Sequence, residues 1–180
     1  MNSKITTLCA TLLLAATAWL HAGEPNHFGQ AKPGSAELER LKTLVGTWSG
    51  KVDMGQGPID INVEYRLVAG GSVLEERSAP GTPMEMVTMF YDKAGKLAAT
   101  HYCILGNRPE MALKTSDANS ITLDFDSCCS IDPKKESHMH GMTLRFDDAN
   151  TITTSCKAII DGKEAQDHQS TFKRVSTAAK

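Results

Sequence analysis

From residue 44 onward the chain alternates between apolar and polar positions. Ile59, Ile61, Val63, Tyr65 and Leu67 stand at every second position, as do Ile121, Leu123 and Phe125, and again Met142, Leu144 and Phe146. Successive side chains of a strand point to opposite faces, so this period-two pattern predicts strands with one buried face. The predicted strands are 44–54, 58–68, 72–78, 84–91, 96–105, 110–116, 120–126, 138–146, 151–160 and 163–174. Their separators are Gly70-Gly71, Asp92 to Gly95, Asp117-Ala118-Asn119, Asp147 to Asn150 and Asp161-Gly162. These are residue types that tolerate positive φ or close an Asx-turn. One short helix precedes the strands, with Ser35 as N-cap and Glu37 and Glu39 near the positive end of its dipole. Strands joined by short turns form an antiparallel meander, and closing it removes the exposed edges of an open sheet. The fold class is therefore all-β: an up-and-down meander of about ten strands closed into a barrel, with one short N-terminal helix.

In such a meander alternate strands run in opposite directions, which sorts the turns into two ends. Taking the end reached by the first strand as the top, the tight turns at 70–71, 92–95, 116–119 and 147–150 fall at the bottom. The top receives Gly55-Gln56-Gly57, Ser78 to Pro83, Gly106-Asn107-Arg108-Pro109, the long Ser127 to Ser137 connection and Asp161-Gly162. Long irregular loops at one end of a barrel are where ligands enter. His101-Tyr102-Cys103, Cys128-Cys129 and His138-Met139-His140 all gather at this rim, although they span some forty residues of sequence.

The chain begins Met1-Asn2-Ser3-Lys4 and continues through an apolar stretch from Ile5 to Leu20, ending Leu20-His21-Ala22 before Gly23. This reads as a secretory signal peptide over 1–22, cleaved after Ala22, followed by a flexible leader over 23–34 and a barrel domain over 35–176. The protein is expected to be exported, either periplasmic or secreted, with no membrane span after cleavage. Loss of Lys4 leaves 18 basic against 21 acidic residues, and no basic stripe with interleaved aromatics occurs, which argues against a nucleic-acid partner. A monomer is expected.

Four cysteines follow the signal, Cys103, Cys128, Cys129 and Cys156, an even number in an oxidising compartment. Adjacent cysteines bond each other only with strain, so the expectation is that Cys103 and Cys156 each pair with one of the neighbours and staple the long top loop to the wall.

The histidines carry the candidate chemistry. His138 and His140 share the parity of Met142, Leu144 and Phe146, so both imidazoles are expected to point into the barrel mouth. The ligand-lining set expected from the sequence is His101, Tyr102, Arg108, His138, His140 and Met142, with Arg108 as the cation beside the mouth. As an alternative, His101, Cys103, His138 and His140 could hold a transition metal, zinc or copper, or one imidazole could ligate haem iron. No cofactor is the default expectation. A further alternative is an enzyme using a histidine as acid or base on a small substrate, although no Gly-x-Ser-x-Gly, His-Glu-x-x-His or phosphate loop is present. Met84, Met86, Met89, Met111 and Met142 fit an adaptable apolar wall. His168 is expected outside the site, because a two-residue turn at Asp161-Gly162 would put it on the face opposite Cys156, a conclusion that one bulge would reverse.

Taken together, Leu44-Val45-Gly46-Thr47-Trp48, Gly70-Gly71, His101-Tyr102-Cys103, Gly106-Asn107-Arg108-Pro109-Glu110-Met111 and His138-Met139-His140 make the chain resemble a group of mostly bacterial, secreted lipocalin-like proteins, a domain of unknown function. The resemblance implies a calycin-type barrel whose Gly-x-Trp plugs the closed end and whose cavity takes small ligands. It implies no reaction. The double cysteine at 128–129 looks peculiar to this chain, and Cys156 stands where such proteins tend to have an aromatic residue. The leading expectation is an exported barrel that binds a small molecule through its upper mouth.

Overall fold

The computed structural model describes residues 31–53, 57–127, 130–165 and 167–175. The expected signal sequence, most of the expected leader, and Cys128 and Cys129 lie outside the described residues. Helix α1 covers Ala36–Lys42, capped by the Ser35 hydroxyl, which accepts from the Leu38 amide at 3.2 Å. The strands are β1 Gly46–Asp53, β2 Pro58–Val68, β3 Val73–Ser78, β4 Met86–Lys93, β5 Lys96–Tyr102, β6 Glu110–Ser116, β7 Ser120–Phe125, β8 His138–Asp148, β9 Thr151–Ile160, β10 Lys163–Glu164 and β11 His168–Arg174. Ten of them close an antiparallel barrel in the order β1 to β9 and then β11, which returns to β1; the short β10 pairs only with β9. Each strand is thus paired on both sides, and no barrel edge is left to recruit another chain.

Closure depends on a close approach at Gly50, which sits opposite Phe172. A Cβ there would lie 2.4 Å from the Thr171 carbonyl oxygen, so only glycine lets β11 settle against β1.

The bottom is sealed. The Ser35 amide and hydroxyl both donate to the Asp92 carboxylate, at 2.6 and 2.7 Å, and Arg40 donates to the Asp117 and Ser120 carbonyls, the latter at 3.0 Å. These bonds fasten α1 across two bottom turns. Beneath it Leu38, Leu41, Leu44 and Trp48 are buried with Leu74, Phe90, Leu97, Ile121, Leu144 and Ile152. The Trp48 indole donates to the Leu44 carbonyl at 2.7 Å, so its polar edge is satisfied inside the plug. Among the described residues no helix is long and apolar enough to cross a membrane.

Two of the irregularities in strand register bear on the cavity. In β8, Met139 pairs with Ala158 but Gly141 pairs with Lys157, leaving one extra residue on the β8 side. Past the last hairpin, Lys163 and Glu164 pair with Ile160 and Ile159, yet His168 pairs with Cys156, one residue out of step. Both are bulge-type slips, and each exchanges the faces of the residues beyond it.

Candidate functional site

Above the sealed core lies a cavity of about 330 Å³. Its wall is mostly apolar: Val52, Ile59, Ile61 and Val63 from the first hairpin, Met84 and Met86 before and on β4, Met139 and Met142 on β8, Ala158 and Ile160 on β9. Ile59, Ile104, Leu105 and Ile160 line it and are also solvent-exposed, which marks the upper rim as its opening. Large side chains exposed at a cavity mouth are the reverse of what a sealed core needs and are typical of a ligand entrance.

One row of polar groups crosses this wall. Tyr65 pairs with Glu76, Glu76 with Thr88, and Thr88 with His101, so β2, β3, β4 and β5 each contribute one inward residue at the same level. Tyr65 donates its hydroxyl to Glu76 Oε2 at 2.7 Å; Thr88 Oγ1 lies 3.4 Å from Glu76 Oε1 and 2.9 Å from His101 Nδ1. All four line the cavity. Burial raises the Glu76 carboxyl above its ordinary value, with the Tyr65 and Thr88 hydrogen bonds pulling the other way. Burial, then the Glu76 charge, raises Tyr65 well above the usual phenol range. Burial alone pushes His101 down to about 4, so its imidazole is neutral at physiological pH.

The opposite wall holds Cys156 and His168, register partners that both line the cavity. Burial, reinforced by Glu76 and Asp167, pushes the Cys156 thiol up to about 12. The bulge between Ala165 and His168 is what brings His168 inside, contrary to the expectation from a continuous hairpin.

The rim histidines are arranged differently from the sequence expectation. His138 is fully buried; its Nδ1 lies 2.6 Å from the Glu136 carbonyl oxygen, which can only accept, so the proton sits on Nδ1. His138 Nε2 therefore accepts from His140 Nδ1 at 3.0 Å. Phe125 stacks on His140 at 5.2 Å and tilts against His138 at 4.8 Å. His138 borders the cavity and His140 does not. The β8 bulge explains it: Met139 and Met142, three residues apart, face the cavity beside Ala158 and Cys156, and His140 is the residue displaced toward Asp124, Lys157 and Glu164. Burial and the neighbouring His138 lower the His140 pKa.

Of the expected ligand-lining residues, His101, His138 and Met142 border the cavity, whereas Tyr102, Arg108 and His140 do not. Tyr102 is exposed on the outward face, paired with Val87, and Arg108 is exposed on the loop after β5. The four-residue metal set is not assembled. Among the described residues no three His, Cys, Asp or Glu side chains converge on a point an ion could occupy. His101 is held by Thr88, both His138 nitrogens are engaged, and His140 lies off the cavity wall. The disulfide expectation is likewise not realised at the described cysteines: Cys103 and Cys156 carry free thiols, both as part of the cavity wall.

Tyr65, Glu76, Thr88 and His168 are the site residues that the sequence reading missed. A signal for Glu76 exists, because it shares the parity of the buried Leu74 rather than that of Arg77. Compared with known proteins, the chain matches no protein-family model and no curated protein.

Proposed function

We propose that this protein is an exported lipocalin-like carrier that binds one small, largely apolar molecule inside the barrel. The observation that carries this reading is the cavity of about 330 Å³, apolar around most of its wall, crossed by a single polar row and bounded above by exposed isoleucine and leucine side chains. A row of convergent hydrogen-bonding groups in an apolar enclosure orients a ligand, while the methionines adapt to its shape. The export part of the reading rests on residues 1–22, and the lipocalin-like part on the Leu44 to Trp48 opening together with the Trp48 plug beneath the cavity.

Titration with the neutral apolar dye N-phenylnaphthylamine tests the reading. Saturable one-to-one binding is expected, and Ala158→Phe, which projects a ring into the cavity, is expected to weaken it by about tenfold or more. No saturable binding, or equal binding by a folded Ala158→Phe variant, would overturn it.

A further inference from the structure

Within that proposed ligand site, on whose existence this inference rests, we infer that the ligand is an apolar molecule ending in a protonated amine, and that the ammonium group sits between Glu76 and His101. Glu76 is the one carboxylate among the described residues lining the cavity. Its partners are two hydroxyls, Tyr65 and Thr88, and no lysine or arginine of the described chain forms an ion pair with it. Lys157 also borders the cavity, but its ammonium is held by Glu164 at 2.6 Å. The titratable groups that interact electrostatically with Glu76, Tyr65 and Cys156, are uncharged near neutral pH, as is His101 at the far end of the row. A carboxylate in an apolar enclosure without a counter-charge is costly, and a cation delivered by the ligand removes that cost.

The hydrogen-bond polarity of the row points to the same ligand. When Glu76 is ionised it accepts from Tyr65 and from Thr88. Thr88, having directed its proton to Glu76, accepts from His101 Nδ1, so the remaining His101 nitrogen, Nε2, presents a lone pair. The row therefore offers acceptors: the free lone pairs of Glu76 and His101 Nε2. An ammonium has three donors and no acceptor, which complements this arrangement, whereas a carboxylate ligand would meet acceptors and like charge. The apolar wall accounts for the remainder of the molecule.

The experiment compares n-octylamine, n-octanol and n-octanoate by isothermal titration calorimetry on the full chain. In the parent protein octylamine is expected to bind at least about tenfold more tightly than octanol, with octanoate weakest. In Glu76→Gln, whose carbonyl still accepts from Tyr65, the ratio of octylamine to octanol affinity is expected to fall to about one, with the circular dichroism spectrum and a cooperative urea transition reporting that the variant is folded. Octanol or octanoate binding as tightly as octylamine in the parent would overturn the inference while leaving the carrier reading intact, and so would an amine preference that survives in Glu76→Gln. Failure of all three compounds to bind would instead overturn the carrier reading, and the inference with it.

Discussion

The guanidinium of Arg174 lies 4.3 Å from the centre of the Trp48 ring, and the same group donates to the Val45 carbonyl at 2.8 Å and the Thr43 carbonyl at 2.9 Å. One side chain from the last strand thus joins the end of α1, the start of β1 and the plug residue. A planar fork that also stacks is something only arginine supplies.

Arg174→Lys is accordingly expected to destabilise the protein by about 1–3 kcal/mol, since the ammonium cannot stack flat and reach two carbonyls together. Urea denaturation measures it. An unchanged midpoint would show that the plug does not depend on the fork.

His101 makes stability depend on pH. Its pKa is about 4 in the folded protein against an ordinary 6.5, so between these values the unfolded chain binds a proton that the folded one does not. Its contribution is complete above pH 6.5 and is lost as the pH falls to about 4, at most about 3 kcal/mol in all. Glu76 acts in the opposite sense, because its raised pKa makes stability fall as pH rises above 4.5 toward the folded-state value. The parent and His101→Gln share the Glu76 contribution, so the difference between their stability curves isolates the imidazole. That difference should narrow steadily on acidification from pH 6.5; a difference independent of pH would contradict the buried neutral imidazole.

Cys156 should be chemically quiet. With its thiol at about 12, almost none is thiolate at pH 8, and alkylation by iodoacetamide is expected to be about a hundredfold or more slower than in the urea-unfolded chain. Peptide mass spectrometry reads the rate at this position. Equal rates in the two states, or recovery of Cys156 in a disulfide, would contradict its placement as a free thiol in the wall.

The architecture was legible because it follows from alternation and turn chemistry. The stretches around Ile59 to Leu67 and Ile121 to Phe125 carry their faces openly, and Ser35 announces the helix that it caps. The ten expected strands correspond to the observed ones, except that the last is divided into β10 and β11. The site was harder to read for two physical reasons. A bulge adds one residue without disturbing the local composition, so neither the exclusion of His140 from the cavity nor the entry of His168 leaves a mark in the text. Glu76 stands in a Glu-Glu-Arg run that resembles a solvated stretch; parity with Leu74 is its one mark in the sequence, and the across-strand partners Tyr65 and Thr88 establish its inward position. His101 and His138 were legible because a histidine near an apolar rim stands out, whereas a glutamate between charged neighbours does not.

Because α1 bolts the lower end shut, the barrel is a cup rather than a pipe. A ligand bound as proposed could not be pushed through the closed end; among the described residues it would enter and leave by the rim at Ile59, Ile104, Leu105 and Ile160. Exchange is then obligatorily dissociative. For a ligand in the proposed site, the resident is expected to leave before a competitor enters, so that the rate of replacement is set by the outgoing molecule alone and stays the same however concentrated its competitor becomes.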